Sequence, residues 1–232
     1  MLLLLPGLEG SGDLFDALIE ELGPRFDTQV VRYPAACYSY ADAEREVRAV
    51  LPASRSCILL AESFSTPLAI ELAAKLPSAV DALILCNGFA SNPLSGIESM
   101  MAIAASPWFF HIPLTTIAAQ TFLVGSDAPD GVTETVQRTI APVAPATLAA
   151  RFGAVLRCDA REALQKLAQP ILYLYATRDR LIGAAGVNQI LRLRPDIPIE
   201  RIDGPHLLLQ TQPRRSAEII TRFISTAVPA PT

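Results

Sequence analysis

Short apolar runs alternate with amphipathic stretches along most of this chain. The runs that predict strands are 2–6, 28–33, 56–61, 80–86, 170–176 and 197–202. The stretches between them carry apolar residues three and four positions apart, the spacing of one helix face. They predict helices at 13–22, 41–51, 64–76, 161–168, 183–193 and 207–226. This alternation predicts an α/β fold, a mostly parallel sheet with helices on both faces.

One strand-to-helix junction carries chemistry. The apolar run that begins at Cys57 leads into residues 61–65 (Ala-Glu-Ser-Phe-Ser), and a helical pattern starts at once. In a nucleophile elbow the two chain segments cross closely, so small residues are needed two positions either side of the central serine. Ala61 and Ser65 hold these positions, and the pattern predicts Ser63 as an exposed nucleophile in a strained conformation. The residues also fit a buried strand followed by a helix with Ser63 as its N-cap.

A serine nucleophile needs a base, because a free hydroxyl is almost fully protonated at neutral pH. The chain has two histidines, His111 and His206. His206 follows the predicted strand 197–202 and a Gly-Pro turn, which places it at the carboxyl edge of the sheet, where catalytic groups collect in open α/β folds. His111 lies in an apolar aromatic segment without a preceding strand, so we interpret it as a packing or lid residue.

The third member of such a site is a carboxylate that orients the imidazole. Asp179 ends the strand-like run 171–179 in a charged turn and is the predicted acid. Asp203 is the rival, but it directly follows its strand and is expected to shape the turn that carries His206. The order Ser63, Asp179, His206 is the chain order of α/β-hydrolases.

The chain opens with an apolar strand that runs into a glycine-rich loop, residues 7–12. The glycines follow the pattern Gly-x-x-Gly-x-Gly and no Gly-Lys-Ser/Thr follows, which argues against nucleotide binding and leaves it the weaker interpretation. In a serine hydrolase, the backbone N–H groups of Leu8 and Phe64 would instead face the developing oxyanion.

These motifs together resemble the α/β-hydrolase fold, and within it the compact esterases that include carboxylesterases and pimeloyl-carrier-protein methyl ester esterases. The resemblance covers nearly the whole chain: the loop at 6–11, the elbow, the acid turn and the Gly-Pro-His turn. The chain departs from the family at Pro6, where histidine is usual, and at Ala61 and Ser65, which replace the elbow glycines. In this family a helical cap follows the sixth strand. The resemblance therefore implies a core of residues 1–91 and 161–232 with a cap at 92–160.

The two halves of the predicted cap differ in character. The first is apolar, and Met100, Trp108 and Phe109 are predicted to line a hydrophobic acyl or alcohol pocket, although most apolar residues there would bury the cap against the core. The second half carries five basic residues against two acidic ones. It is either a solvated helical face or a docking patch for an acidic acyl carrier protein or a coenzyme A-linked acyl group, and its basic residues are Arg138, Arg151, Arg157, Arg161 and Lys166.

Composition limits the remaining choices. The net charge of −4 argues against a nucleic-acid partner. Four widely spaced cysteines and two histidines give no metal or cofactor motif. No apolar stretch reaches the roughly 18 residues of a membrane span, and residues 1–5 are too short for a signal-peptide core. We therefore expect a soluble, cytoplasmic protein with a disordered tail at 228–232.

The sequence thus predicts a serine esterase that acts on a small carboxylic ester, with Ser63, Asp179 and His206 as its triad. A methyl ester esterase for a carrier-bound acyl chain is the more specific hypothesis. Two alternatives from other classes stay open. One is a lyase or perhydrolase with the same fold, and the other is a non-catalytic ligand-binding module.

Overall fold

The computed structural model describes residues 1–93, 123–125 and 128–227. Within this part of the chain six strands form one sheet: β1 (Leu2–Leu5), β2 (Thr28–Val30), β3 (Cys57–Glu62), β4 (Val80–Cys86), β5 (Ile171–Ala176) and β6 (Ile199–Ile202). The order is β2-β1-β3-β4-β5-β6, and every pair of neighbours is parallel. The predicted fold class, a mostly parallel sheet with flanking helices, is confirmed.

Helices connect these strands. Among the described residues they are, in chain order, α1 (Asp16–Leu22), α2 (Tyr40–Val50), α3 (Thr66–Lys75), α4 (Val132–Ile140), α5 (Pro145–Arg157), α6 (Arg161–Lys166), α7 (Gly183–Leu193), α8 (Leu208–Thr211) and α9 (Pro213–Ala227). A turn of 3-10 helix precedes α1 at Asp13–Phe15, and another precedes α3 at Ser63–Ser65.

The central strands are buried on both faces. In β1, Leu3 and Leu5 belong to one hydrophobic cluster, whereas Leu2 and Leu4 belong to a second cluster on the other face. Helices α2, α3, α6 and α7 contribute to the first cluster, and α1 and α9 contribute to the second. Burial on both faces explains why these strands appear in the sequence as continuous apolar runs rather than as alternating patterns.

The chain changes direction across the sheet between β1 and β3. From β1 it crosses to β2 on one side, and it then returns to place β3 on the other side of β1. Leu5 pairs with Ala61 in this parallel ladder, so the loops that begin at Pro6 and Ser63 leave the same edge side by side. Such a switch point is where open α/β sheets bind their ligands.

The predicted helix 207–226 is wrong as a single element, because the structure has two helices, α8 and α9, on either side of Gln212. Pro213 begins the second helix. Proline lacks the N–H that would continue the first helix, and its ring clashes with the carbonyl four residues earlier, whereas its fixed φ suits a first helical position.

The segment 92–160, predicted as a cap, contains α4 and α5 among its described residues. Its two ends lie together, since Ser91 bridges Asp159 and the Asn92 amide donates to the Cys158 carbonyl at 3.3 Å. The division into core and cap stays a prediction. The predicted pocket residues Met100, Trp108 and Phe109, like His111 and the tail 228–232, lie outside the described residues.

Within the described part of the chain, no single helix is long and apolar enough to cross a bilayer. Helices α4 and α5 reach the required length and composition only as a pair, and that pair is bent by 98°.

Gly88 allows the segment after β4 to pass close to the start of α3. A Cβ at this position would lie 2.1 Å from Thr66 Cγ2. Thr66 in turn donates a hydrogen bond from Oγ1 to the Ser63 carbonyl at 2.8 Å. We therefore expect Gly88→Ala to lower the free energy of unfolding, measured with urea, by about 1–3 kcal/mol.

Gly153→Ala in α5 is the matched control. Its Cβ would meet only the flexible end of Arg157, at 3.2 Å. Because alanine favours a helix over glycine, this variant should be unchanged or up to about 1 kcal/mol more stable. Equal losses in both variants would contradict a steric requirement at Gly88.

Candidate active site

Ser63 stands at a sharp strand-to-helix turn. It follows directly on β3, and its backbone has φ 47°, in the left-handed region that non-glycine residues rarely adopt. The Thr66 hydroxyl stabilises this strained turn, because it donates to the Ser63 carbonyl and accepts from the Phe89 amide. The small side chains of Ala61 and Ser65 flank the crossing, as a nucleophile elbow requires.

The structure brings Ser63, His206 and Asp179 together at the carboxyl edge of the sheet. His206 Nε2 lies 3.0 Å from Ser63 Oγ, and His206 Nδ1 lies 2.9 Å from Asp179 Oδ2. The side chains of His206 and Asp179 are only 3% and 1% exposed, respectively. When Nδ1–H donates to the carboxylate, Nε2 is left as an acceptor for the serine proton, which is the arrangement that a general base needs.

Asp179 is held as an anion by its surroundings. Its Oδ1 accepts hydrogen bonds from the amides of Leu181 at 2.8 Å and Ile182 at 3.1 Å, so Oδ2 remains directed at His206. Burial alone would raise the pKa of this carboxyl. The electrostatic interaction and hydrogen bond with His206, together with the two amides, outweigh burial, and the pKa of Asp179 is lowered.

The other acid considered from the sequence lies apart from this chain of contacts. Asp203 accepts hydrogen bonds from Arg178 Nε at 2.8 Å and Thr177 Oγ1 at 3.1 Å, and its side chain is 78% exposed. It therefore joins the turn before His206 to the turn after β5, which agrees with the structural role expected for it.

Asn87 supports the histidine, and the sequence analysis missed it. Its Nδ2 donates to the His206 carbonyl at 2.7 Å, and its Oδ1 accepts from the Ala176 amide at 2.8 Å. Asn87 has φ 46°, a conformation that asparagine tolerates better than most residues. An asparagine before a glycine, at the end of the apolar run 80–86, was the available signal.

Ser65 has a use that glycine could not have at this position. Its hydroxyl donates to the Pro6 carbonyl, and the Tyr33 hydroxyl lies 2.7 Å from Ser65 Oγ. Because the single Ser65 proton goes to Pro6, Tyr33 must be the donor in the second bond. Ser65, which stands where the elbow usually has glycine, thus links the elbow to the loop after β1.

Leu8 and Phe64, the predicted oxyanion donors, occupy equivalent places in neighbouring loops. Leu8 lies three residues after Leu5 in β1, and Phe64 lies three residues after Ala61 in β3; these two strand residues are paired. The Phe64 carbonyl accepts from the Tyr40 hydroxyl at 2.9 Å, and its ring stacks on that of Tyr40 with centroids 4.8 Å apart. Phe64 is therefore anchored next to Ser63, and Leu8 lies in the neighbouring loop that starts from the paired strand.

A buried cluster of polar side chains lies behind the elbow. It contains Glu62, Glu9 and Gln210, one from each of the segments that carry Ser63, Leu8 and His206. Gln210 Nε2 donates to Glu62 Oε2 at 3.3 Å, while Glu62 Oε1 and Gln210 Oε1 have no partner among the described residues. The sequence signal was a charged residue at the end of an apolar strand.

Burial shifts the ionisation of both carboxyls of this cluster toward the neutral form. Burial raises the pKa of Glu62 to about 7, with a further contribution from the neighbouring Glu9 carboxyl. Burial also raises the pKa of Glu9. Over the described residues, no group of three or more His, Cys, Asp or Glu side chains is placed to hold a metal ion.

The predicted basic patch is wrong for Arg151, which is 1% exposed and bonds to backbone carbonyls of the core. It lies in α5, whose inward face packs on the loop after β1. Two further members are already paired with acids beside them, since Arg161 bonds to Asp159 and Lys166 bonds to Glu162. Sequence spacing cannot distinguish the inner from the outer face of a helix whose neighbours are unknown.

No family model matches the chain, but single relatives do. The chain is 26% identical over 270 residues to a pimeloyl-[acyl-carrier protein] methyl ester esterase of Xanthomonas oryzae pv. oryzae, covering 97% of this chain and 94% of the relative. It is 24% identical over 250 residues to a 2-(acetamidomethylene)succinate hydrolase of Mesorhizobium japonicum, covering 97% and 87%. The crystal structure of the enol-lactonase from Burkholderia xenovorans LB400 superimposes with a TM-score of 0.84 at 14% identity, covering 97% and 90%.

The protein has the α/β-hydrolase fold, and the relatives and the structural neighbour named above are an esterase and other hydrolases. These similarities support the prediction that the protein is a hydrolase.

The raised pKa of Glu62 predicts a pH dependence of stability. The carboxyl has a pKa of about 7 in the folded protein and 4.5 ordinarily. The folded state therefore binds this proton more tightly, and the resulting stability is present below pH ~4.5 and lost as pH rises through ~7. Glu62→Gln cannot ionise. Relative to wild type, its free energy of unfolding should rise by up to about 3 kcal/mol between pH 5 and pH 8.

The measurement is urea unfolding of both proteins across this pH range. Glu20→Gln, an exposed glutamate in α1, is the matched control, and its difference from wild type should not change with pH. A pH-independent difference for Glu62→Gln would show that the carboxyl is ionised throughout.

Proposed function

We propose that this protein is a serine hydrolase that cleaves carboxylic esters through an acyl-enzyme on Ser63. The observation that carries the proposal is the continuous chain of hydrogen bonds from Ser63 Oγ through His206 to Asp179. This chain of hydrogen bonds lies at the switch point of the sheet, and Ser63, at its start, has positive φ. Structural serines have no need of this combination of strain, base and buried carboxylate.

In the proposed reaction Ser63 Oγ attacks the ester carbonyl while His206 Nε2 takes the hydroxyl proton. His206 then gives that proton to the departing alcohol, and the acyl group remains on Ser63. A water molecule, deprotonated by His206, attacks the acyl-enzyme and releases the carboxylic acid, and the proton returns to Ser63. Asp179 keeps the imidazole in the required tautomer and stabilises the imidazolium.

The backbone N–H groups of Leu8 and Phe64 are the proposed donors to the oxyanion. Their support is the pairing of Leu5 with Ala61, which starts both loops at one point of the sheet edge. Each such donor contributes about 3–4 kcal/mol to the transition state. No side-chain acid is required for this role.

For the substrate we propose an ester whose acyl chain is largely apolar, held under the cap. The support is the apolar composition around Met100, Trp108 and Phe109. A methyl ester on an acyl chain bound to an acidic carrier protein is the specific candidate, supported by the relative named for that activity. Both a carrier-linked methyl ester and 2-(acetamidomethylene)succinate should therefore be assayed beside simple p-nitrophenyl esters.

The first test replaces the nucleophile. Ser63→Ala should abolish ester hydrolysis, with a fall in kcat of about 10⁵-fold or more, because no acyl-enzyme can form. Fluorophosphonate labelling, followed by mass spectrometry of the intact protein, should disappear as well. Ser65→Ala is the control. It loses the bonds to Tyr33 and Pro6 but should still be labelled on Ser63.

Labelling that persists in Ser63→Ala would contradict the assignment of the nucleophile. Mass spectrometry of the small-molecule products separates the reaction classes. A free acid and an alcohol in equal amounts are expected, whereas carbon–carbon cleavage or a peracid would identify a lyase or a perhydrolase.

A second test separates the two candidate acids. Asp179→Asn should leave the protein folded and lower kcat by about 10⁴-fold, because an amide opposite Nδ1 favours the wrong imidazole tautomer. Asp203→Asn removes only exposed bonds to Arg178 and Thr177, and its kcat should stay within a few fold of wild type. A larger loss in Asp203→Asn than in Asp179→Asn would reverse the assignment.

A further inference from the structure

Arg151 in α5 uses all five of its N–H groups on backbone carbonyls. Nε donates to Cys37 at 3.0 Å, and the two terminal nitrogens donate to four further carbonyls, those of Leu8, Glu9, Tyr33 and Pro34, at 2.7 to 3.3 Å. A guanidinium has only five donors, so its bonding capacity is filled. Such a set of acceptors fixes the side chain in one orientation.

The five carbonyls belong to two loops at the carboxyl edge of the sheet. Leu8 and Glu9 lie in the loop after β1, which we call the oxyanion loop (residues 6–12), and the other three lie in the segment 33–37 after β2. The guanidinium also touches the oxyanion loop at Gly10, where a Cβ would come within 2.4 Å of Nη1. Arg151 therefore sets the distance between this loop and α5.

The oxyanion loop is fixed at a second point. Ser65, in the elbow, donates to the Pro6 carbonyl and is bonded to Tyr33, while the Tyr33 amide donates to the Gly10 carbonyl at 2.7 Å. The peptide N–H of Leu8 lies between the two fixed points. Its direction relative to Ser63 thus depends on Ser65 on one side and on Arg151 on the other.

The guanidinium does not act here through an ordinary ion pair. Glu9 is a buried carboxyl whose charge acts on the guanidinium, but within the described residues the hydrogen bonds of Arg151 go to main-chain oxygens, and burial lowers the pKa of Arg151. A lysine could not replace it, because an ammonium has three donors and no planar fork. The arrangement is specific for holding backbone in shape.

We propose that Arg151 is a positioning residue for the reaction, which orients the Leu8 N–H toward the oxyanion by fixing the oxyanion loop. The proposal rests on the function proposed above for Ser63, Leu8 and Phe64. An oxyanion donor acts only on the charge that develops in the transition state. Loss of Arg151 should therefore lower kcat and leave KM for a small neutral ester nearly unchanged.

The experiment compares Arg151→Ala and Arg151→Lys with wild type on a p-nitrophenyl ester, with rates divided by the number of sites titrated with fluorophosphonate. Both variants should lose about 10- to 100-fold in kcat, because a displacement of about 1 Å at such a donor has effects of this size. Their affinity for a trifluoromethyl ketone, which forms an oxyanion on Ser63, should fall in proportion to kcat/KM. Millimolar guanidinium chloride should restore much of the kcat of Arg151→Ala, and sodium chloride should not.

Arg157→Ala, which removes the same charge from the same helix, is the matched control and should keep wild-type kcat. Amide hydrogen exchange provides a readout independent of activity. Exchange should quicken in residues 7–12 of Arg151→Ala, but not in residues 179–182. Unchanged kcat per titrated site, or unchanged exchange at 7–12, would overturn the proposal. A wild-type protein without turnover or labelling would instead overturn the proposed function, and the exchange result would still decide whether Arg151 holds the loop.

Discussion

The parallel pairing of β1 with β3 is the constraint on which the site depends. Leu5 pairs with Ala61, so the loop after β1 and the loop after β3 start side by side at the carboxyl edge of the sheet. The loop after β3 makes a sharp turn at Ser63, which has positive φ, and the loop after β1 is rich in glycine. A slip of one residue in this ladder would turn every side chain of β3 to the opposite face and separate the two loops.

Around this point the protein buries more polar groups than a packed core requires. Ser65, Arg151 and Asn87 bond to backbone groups, and the Tyr33 hydroxyl bonds to Ser65 Oγ. Each of these bonds connects segments far apart in sequence. Buried polar groups cost stability unless they are paired, so these bonds specify one arrangement of the loops rather than simply adding stability. Glu62 and Gln210 are the exception, because each retains an unpartnered oxygen within the described chain. Protonation of Glu62, whose pKa burial raises to about 7, reduces the cost of that exception.

The sequence pattern predicted the bounds of an element best where that element is buried on both faces. Strands buried on both faces, such as β3 and β4, have unmistakable apolar runs, and their predicted positions differ from the structure by a residue or less. At Pro213 the helical spacing of apolar residues continues across 207–226, but proline cannot continue a helix and divides α8 from α9. At Arg151 no local signal existed, since arginine is common on solvated helix faces and the acceptors lie more than a hundred residues away.

The amino-acid sequence by itself determined the alternation of strands with helices over most of the chain, the fold class and the three positions that meet as Ser63, Asp179 and His206. Hydrophobic periodicity and turn residues are local properties, and each candidate followed a strand whose end defines one edge of a parallel sheet. Only the tertiary structure decided which polar side chains are buried and what they bond. That outcome depends on contacts between distant segments, such as Asn87 with the loop of His206 and Arg151 with the oxyanion loop, and local patterns carry no record of them.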